Sequence, residues 1–96
     1  MNAEQLATKY IETTETVFRK MQSSKTAINL ERGKVEEVVD WAKDYLDDAK
    51  FYREKKKFEV SLTSIAYCEG LLDALRLLGA VSFEWPSKAR KAKRIR

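Results

Sequence analysis

The stretch "DWAKDYLDDAKFYREKKKFEVSLTSIAYCEGLLDALRLLG", residues 40–79, decides the fold. Two apolar arcs of helical period flank a short charged break. Before the break, Val35, Val38, Val39, Ala42, Tyr45, Leu46, Ala49 and Tyr52 fall on one arc, with Glu36, Asp40, Lys43, Asp44 and Asp47 outside it. After it, Val60, Ser64, Tyr67, Leu71, Ala74 and Leu78 form one seam, and Phe58, Ile65 and Leu72 another, with Cys68 and Leu75 between them. The break "REKKKF" leaves room for a connection of only three or four residues. So short a link makes the two helices antiparallel neighbours. Phe58 opens the later helix, and Gly79 is placed to cap its C-terminus.

Working toward the N-terminus, Ala3, Leu6, Tyr10, Val17 and Met21 recur at steps of three and four, which predicts a first helix over about Ala3 to Gln22. Ile11 and Phe18 widen its stripe, while Glu4, Thr8, Glu12, Glu15 and Arg19 lie opposite. "SSKTAINLERG" interrupts the pattern, with Ser23, Ser24, Thr26 and Asn29 as candidate N-caps. The second helix is expected to begin between Lys25 and Lys34. The expected fold is all-α, a three-helix up-and-down antiparallel bundle over residues 1–86. Its core should include Tyr10, Val17, Val38, Ala42, Tyr45, Ala49, Ile65, Leu71, Leu72 and Leu75.

Composition agrees with this reading, since one proline and three glycines in 96 residues favour helices. The net charge of +4 is unevenly placed. Residues 87–96, "SKARKAKRIR", hold six of the 19 basic residues and none of the 15 acidic ones, so the first 86 residues balance at −2. A segment so charged and so poor in apolar residues is expected to be a disordered basic tail.

With no histidine and only Cys68, neither a Cys/His metal site nor His-based catalysis can be assembled within one chain. No metal, cofactor or catalytic residue is expected. The absence of an apolar run of about 18 residues and of a signal-peptide pattern points to a soluble, cytoplasmic chain with no membrane partner.

The candidate contacts are therefore few. Glu69 and Asp73 lie one turn apart on the third helix, in company with Ala66 and Gly70. The simpler expectation is a solvated face, with Asp73 paired to Arg76 three residues on. The sharper one is a shallow trough for a protein partner, because a mid-helix glycine costs roughly 1 kcal/mol and suits a close approach to the backbone. Phe51 points away from the core arc and is a further candidate contact, unless it folds over the nearby turn. Phe83 and Trp85 are placed to cover the bundle end before Pro86.

Residues 40–81 also resemble the archaeal domain-of-unknown-function family 357. Tyr45, Asp48, Ala49, Lys50, Ala66, Tyr67, Gly70, Leu72, Asp73, Leu78 and Gly79 carry the likeness, and "KYIETTETVF" is similar to the family's opening helix. The resemblance implies a small three-helix domain and no established activity. It also implies an accessory role, since such domains are sometimes joined to nucleotidyltransferase-like ones. The chain departs from the family at Glu69, where histidine is usual.

Two functions follow as expectations. The first is a non-catalytic helical interaction module, self-associating or docking on another protein. The alternative is binding of nucleic-acid phosphates by Lys88, Arg90, Lys91, Lys93, Arg94 and Arg96 of the tail, with Lys55–Lys57 as a distant second cluster.

Overall fold

The computed structural model describes residues 1–86. They form α1 (Ala3–Lys20), α2 (Arg32–Glu54) and α3 (Phe58–Leu77), with no strand among the described residues. The all-α, three-helix expectation is met, and α3 opens on Phe58 as its pattern required. The basic tail lies outside the described residues.

Local chemistry explains each boundary. Asn2 caps α1 through a reciprocal pair: its Oδ1 accepts from the Gln5 backbone N–H at 2.8 Å, while Gln5 Oε1 accepts from the Asn2 N–H at 3.0 Å. Arg19 and Lys20 in the last turn complement the negative end of the helix dipole. None of the candidate caps Ser23, Ser24, Thr26 and Asn29 starts α2. Its N-cap is Glu31, with no side-chain cap hydrogen bond. The Ser24 hydroxyl is engaged instead with Thr26, accepting from its N–H at 3.3 Å, a local turn that competes with capping.

α2 and α3 end in the same way. Lys57 N–H donates to the Tyr52 carbonyl at 2.9 Å and Lys56 N–H to Arg53 at 3.0 Å; Ala80 donates to Leu75 at 2.9 Å and Gly79 to Arg76 at 3.0 Å. Both are Schellman closures, which place one residue in the left-handed region. At α3 that residue is Gly79, φ 78°, but at α2 it is Lys56, φ 62°. The three-residue turn Lys55–Lys57 returns the chain antiparallel.

The α2–α3 hairpin holds the core. Ala42 and Ala49 of α2 and Cys68 and Leu75 of α3 are the buried apolar residues among the described ones. Small alanines let the helices approach closely. Ser61 Oγ uses that closeness to donate to the Ala49 carbonyl across the interface at 2.7 Å. Tyr45 stacks on Tyr67 with ring centroids 4.3 Å apart and planes 18° from parallel. Val38, Ile65, Leu71 and Leu72 are half-buried around this centre.

The core expectation needs correcting at α1. Tyr10 is 61% exposed and Val17 54%, and α1 has no buried residue. Among the described residues, helix-to-helix packing joins only α2 and α3. Periodicity shows which side chains share a face but not what that face meets, so the stripe of α1 is real while no helix among the described residues packs on it.

Candidate functional site

The two acids on α3 have different environments. Asp73 is not on a solvated face: its side chain is 21% exposed. Asp73 Oδ1 accepts from the Trp85 Nε1–H at 2.8 Å and from Arg76 Nη2 at 3.4 Å. Arg76 also lies 5.7 Å from the centre of the Phe83 ring, and Phe83 meets Trp85 edge-on at 5.0 Å. The expected Asp73–Arg76 pair is present, but it belongs to a clasp that fastens residues 83–85 against α3. Phe83 and Trp85 are half-buried there. The solvated reading fails because the chain after Gly79 folds back over this part of the helix.

Glu69 is half-buried one turn earlier. Burial first, and the Glu69 carboxylate second, push the neighbouring Cys68 thiol above its ordinary pKa of 9.0. A buried thiol with a raised pKa is a packing group and a poor nucleophile.

Ala66 and Gly70 are exposed, and a Cβ added at Gly70 meets nothing within 4 Å. No part of the described chain approaches the helix backbone there, so the close approach expected at Gly70 is not made within the described residues. Phe51 is 53% exposed, as its place on the arc required. Its ring meets Tyr52 edge-on at 5.2 Å and lies 5.5 Å from the Lys55 ammonium, so it does fold against the turn. Ala66, Glu69, Gly70 and Asp73 thus share successive turns of α3, while Phe51 lies apart from them on α2. Lys55–Lys57 occupy the end of the hairpin opposite Gly79, about 30 Å away along a 20-residue helix. Lys88, Arg90, Lys91, Lys93, Arg94 and Arg96 lie outside the described residues.

A different surface went unassigned in the sequence. Trp41, 54% exposed, lines a shallow recess with Asp44, Tyr45 and Asp48, and Tyr45 continues it onto Tyr67 of α3. Burial, followed by the neighbouring Tyr67, raises the Tyr45 hydroxyl above its ordinary pKa of 10.0. Leu71 and Ala74 extend the same side of α3 by helical spacing. The spacing of Trp41 and Tyr45, one turn apart beside the α2 core alanines, was the available signal. At one end of the hairpin, Ile28 and Leu30 of the α1–α2 connection border a cavity of about 700 Å³ with Val35, Val39, Leu78 and Val81.

No group of three or more Cys, Asp or Glu side chains that could hold a metal ion occurs among the described residues. No helix among them is long and apolar enough to cross a membrane.

These features define a class: a small all-α domain built on a tight helical hairpin and preceded by an amphipathic helix. Within that class the chain belongs to the family described as "Protein of unknown function (DUF357)", whose model matches residues 9–81. The match includes most of α1, the connection and the whole hairpin, so the detached helix is part of the family's unit. Comparison with curated proteins and with solved structures gives no match.

Proposed function

We propose that this chain is a non-catalytic helical interaction module acting in the cytoplasm, whose binding surfaces are the stripe of α1 and the aromatic side of the α2–α3 hairpin. One observation carries the reading. Tyr10, Val17 and Phe18 of α1 are 61%, 54% and 69% exposed, while Trp41 and Tyr67 are 54% and 51% exposed on the hairpin. Most of a helix's stability in a protein comes from packing its amphipathic face, so an amphipathic helix with a built cap is best accounted for by a surface that completes it. Helix-in-groove recognition supplies the mechanism, with aromatic anchors giving most of the affinity. The trough residues Ala66 and Gly70 extend the accessible surface on the far side of α3.

The test is capture from a native lysate with intact protein, with Phe18→Glu, with Trp41→Glu and with a chain ending at Pro86. The reading expects protein partners, or further copies of the chain, lost with either glutamate variant and kept by the shortened chain. Capture of RNA or DNA that disappears on shortening and weakens steeply with salt would replace it with phosphate binding by the tail.

A further inference from the structure

We propose that the turn end of the α2–α3 hairpin is a contact site for single-stranded nucleic acid, with phosphates held by Lys50, Arg53 and Lys55–Lys57 and a base stacked on Phe58. The site is separate from the α1 stripe and the aromatic side of the hairpin, and it stands or falls independently of them. Charge is segregated along the hairpin. Residues 31–48 carry seven acidic and three basic side chains, whereas residues 50–59 carry five basic and two acidic ones, Glu54 and Glu59. All five basic side chains are exposed, and among the described residues none of them enters an ion pair. A cationic end on an acidic body attracts a polyanion to one place.

The needs of the fold do not account for this cluster. Lys56 holds the left-handed position of the α2 closure at φ 62°, where the equivalent closure of α3 uses Gly79. Lys57 is the N-cap of α3 and makes no side-chain cap hydrogen bond. Serine, threonine, asparagine or aspartate would cap that helix, and the positive end of its dipole disfavours a cation. Arg53 in the last turn already complements the end of α2. Two of the three lysines thus stand where the backbone disfavours them, and strain kept for an exposed side chain points to a use outside the fold.

The aromatic component is next to the charge. Phe58, 56% exposed, follows Lys57 directly and borders with Lys56 and Lys57 a shallow recess of about 330 Å³ that Glu59 and Val60 complete. Before the turn, the Lys55 ammonium lies 5.5 Å from the centre of the Phe51 ring. Cations that follow a phosphate backbone beside an exposed ring that receives a base are the two components of sequence-tolerant single-strand binding. A duplex hides its base faces and a lipid surface has none, so the ring favours a single strand.

The test is fluorescence anisotropy of a labelled oligouridylate of about 12 nucleotides, titrated with the full chain over a range of salt. Each phosphate contact on a single strand contributes about −0.7 to the slope of log affinity against log salt. Lys55→Gln combined with Lys57→Gln should therefore make the slope shallower by about 1.4, and Lys56→Gly by about 0.7 while raising the melting temperature. A variant that folds better and binds worse separates the contact from the fold. Phe58→Leu should weaken binding at least about fivefold with the slope unchanged, and Phe58→Tyr, which keeps a ring, should restore it. Circular dichroism melts confirm that each variant is folded, and the lysine variants decide alone if Phe58→Leu is not.

An absence of binding at low salt would overturn the proposal. So would a slope that these lysine variants leave unchanged and that falls only when the basic residues of 87–96 are replaced by glutamine, which would place the binding in the tail. Equal affinity for a duplex of the same length, or for phosphatidylserine vesicles, with no loss in Phe58→Leu, would also overturn it in favour of a general anion contact.

Discussion

Replacing Lys56 by glycine should stabilise this protein, although it removes a side chain and adds no contact. Lys56 holds the left-handed position of the closure that ends α2, at φ 62°. A residue with a Cβ pays about 1–2 kcal/mol there. Glycine escapes that strain but carries more freedom in the unfolded chain, a cost of about 0.5–1 kcal/mol. The net gain is about 0.5–1 kcal/mol, or roughly 2–8 °C in melting temperature for a domain of this size. Lys56→Ala is the control, because it removes the same charge beside Lys55 and Lys57 while keeping the strain. Gly79→Ala is the mirror experiment at φ 78°; an added Cβ there meets nothing within 4 Å, so a loss of about 1 kcal/mol would report backbone strain without a clash. Urea and thermal melts followed by circular dichroism measure all three. If Lys56→Gly were no more stable than Lys56→Ala, the left-handed closure would not be the feature that sets the hairpin turn.

Further outcomes follow from the same geometry. Asp73→Ala should cost about 1–3 kcal/mol and raise the hydrogen-exchange rate of residues 83–85, because it removes the carboxylate that accepts from Trp85 and Arg76; Asp73→Asn keeps an acceptor oxygen and should cost less. Gly70→Ala should stabilise α3 by up to about 1 kcal/mol, since open space receives the methyl group, and denaturant melts read the sign. The raised Tyr45 hydroxyl keeps its proton in the folded chain above the pH at which the unfolded chain loses it. Stability should therefore be full below about pH 10 and fall as pH rises above that value, and Tyr45→Phe should flatten that decline in melts taken across the alkaline range.

What the sequence made readable was local. The apolar arcs around Ala42 and Ala49, and around Cys68 and Leu75, named the hairpin interface because alternating small and large residues at helical spacing have one way to face each other across a three-residue turn. Gly79 was readable as a cap for the same local reason. Tyr10 and Val17 were assigned to a core they do not join, since amphipathicity fixes the stripe and leaves its partner open. Asp73 was misjudged because its environment is made by Trp85, twelve residues away, after a chain reversal that the helical projection of α3 does not contain. Trp41 has a local signal in its one-turn spacing from Tyr45, but the stack of Tyr45 on Tyr67, which continues that surface onto α3, is a tertiary contact that the α2 pattern does not contain. Lys56 in a left-handed position was equally hidden, because lysine carries no turn signal.

The central claim is that α1 is completed by a surface beyond its own hairpin, and amide hydrogen exchange across α1 over a range of protein concentration tests it most directly. The account predicts that the amides of residues 6–18 exchange close to unstructured rates in the dilute chain alone and become protected when the protein is concentrated or when a captured protein partner is added, while α2 and α3 stay protected throughout. Strong protection of α1 that is independent of concentration, in a chain that remains monomeric, would contradict it.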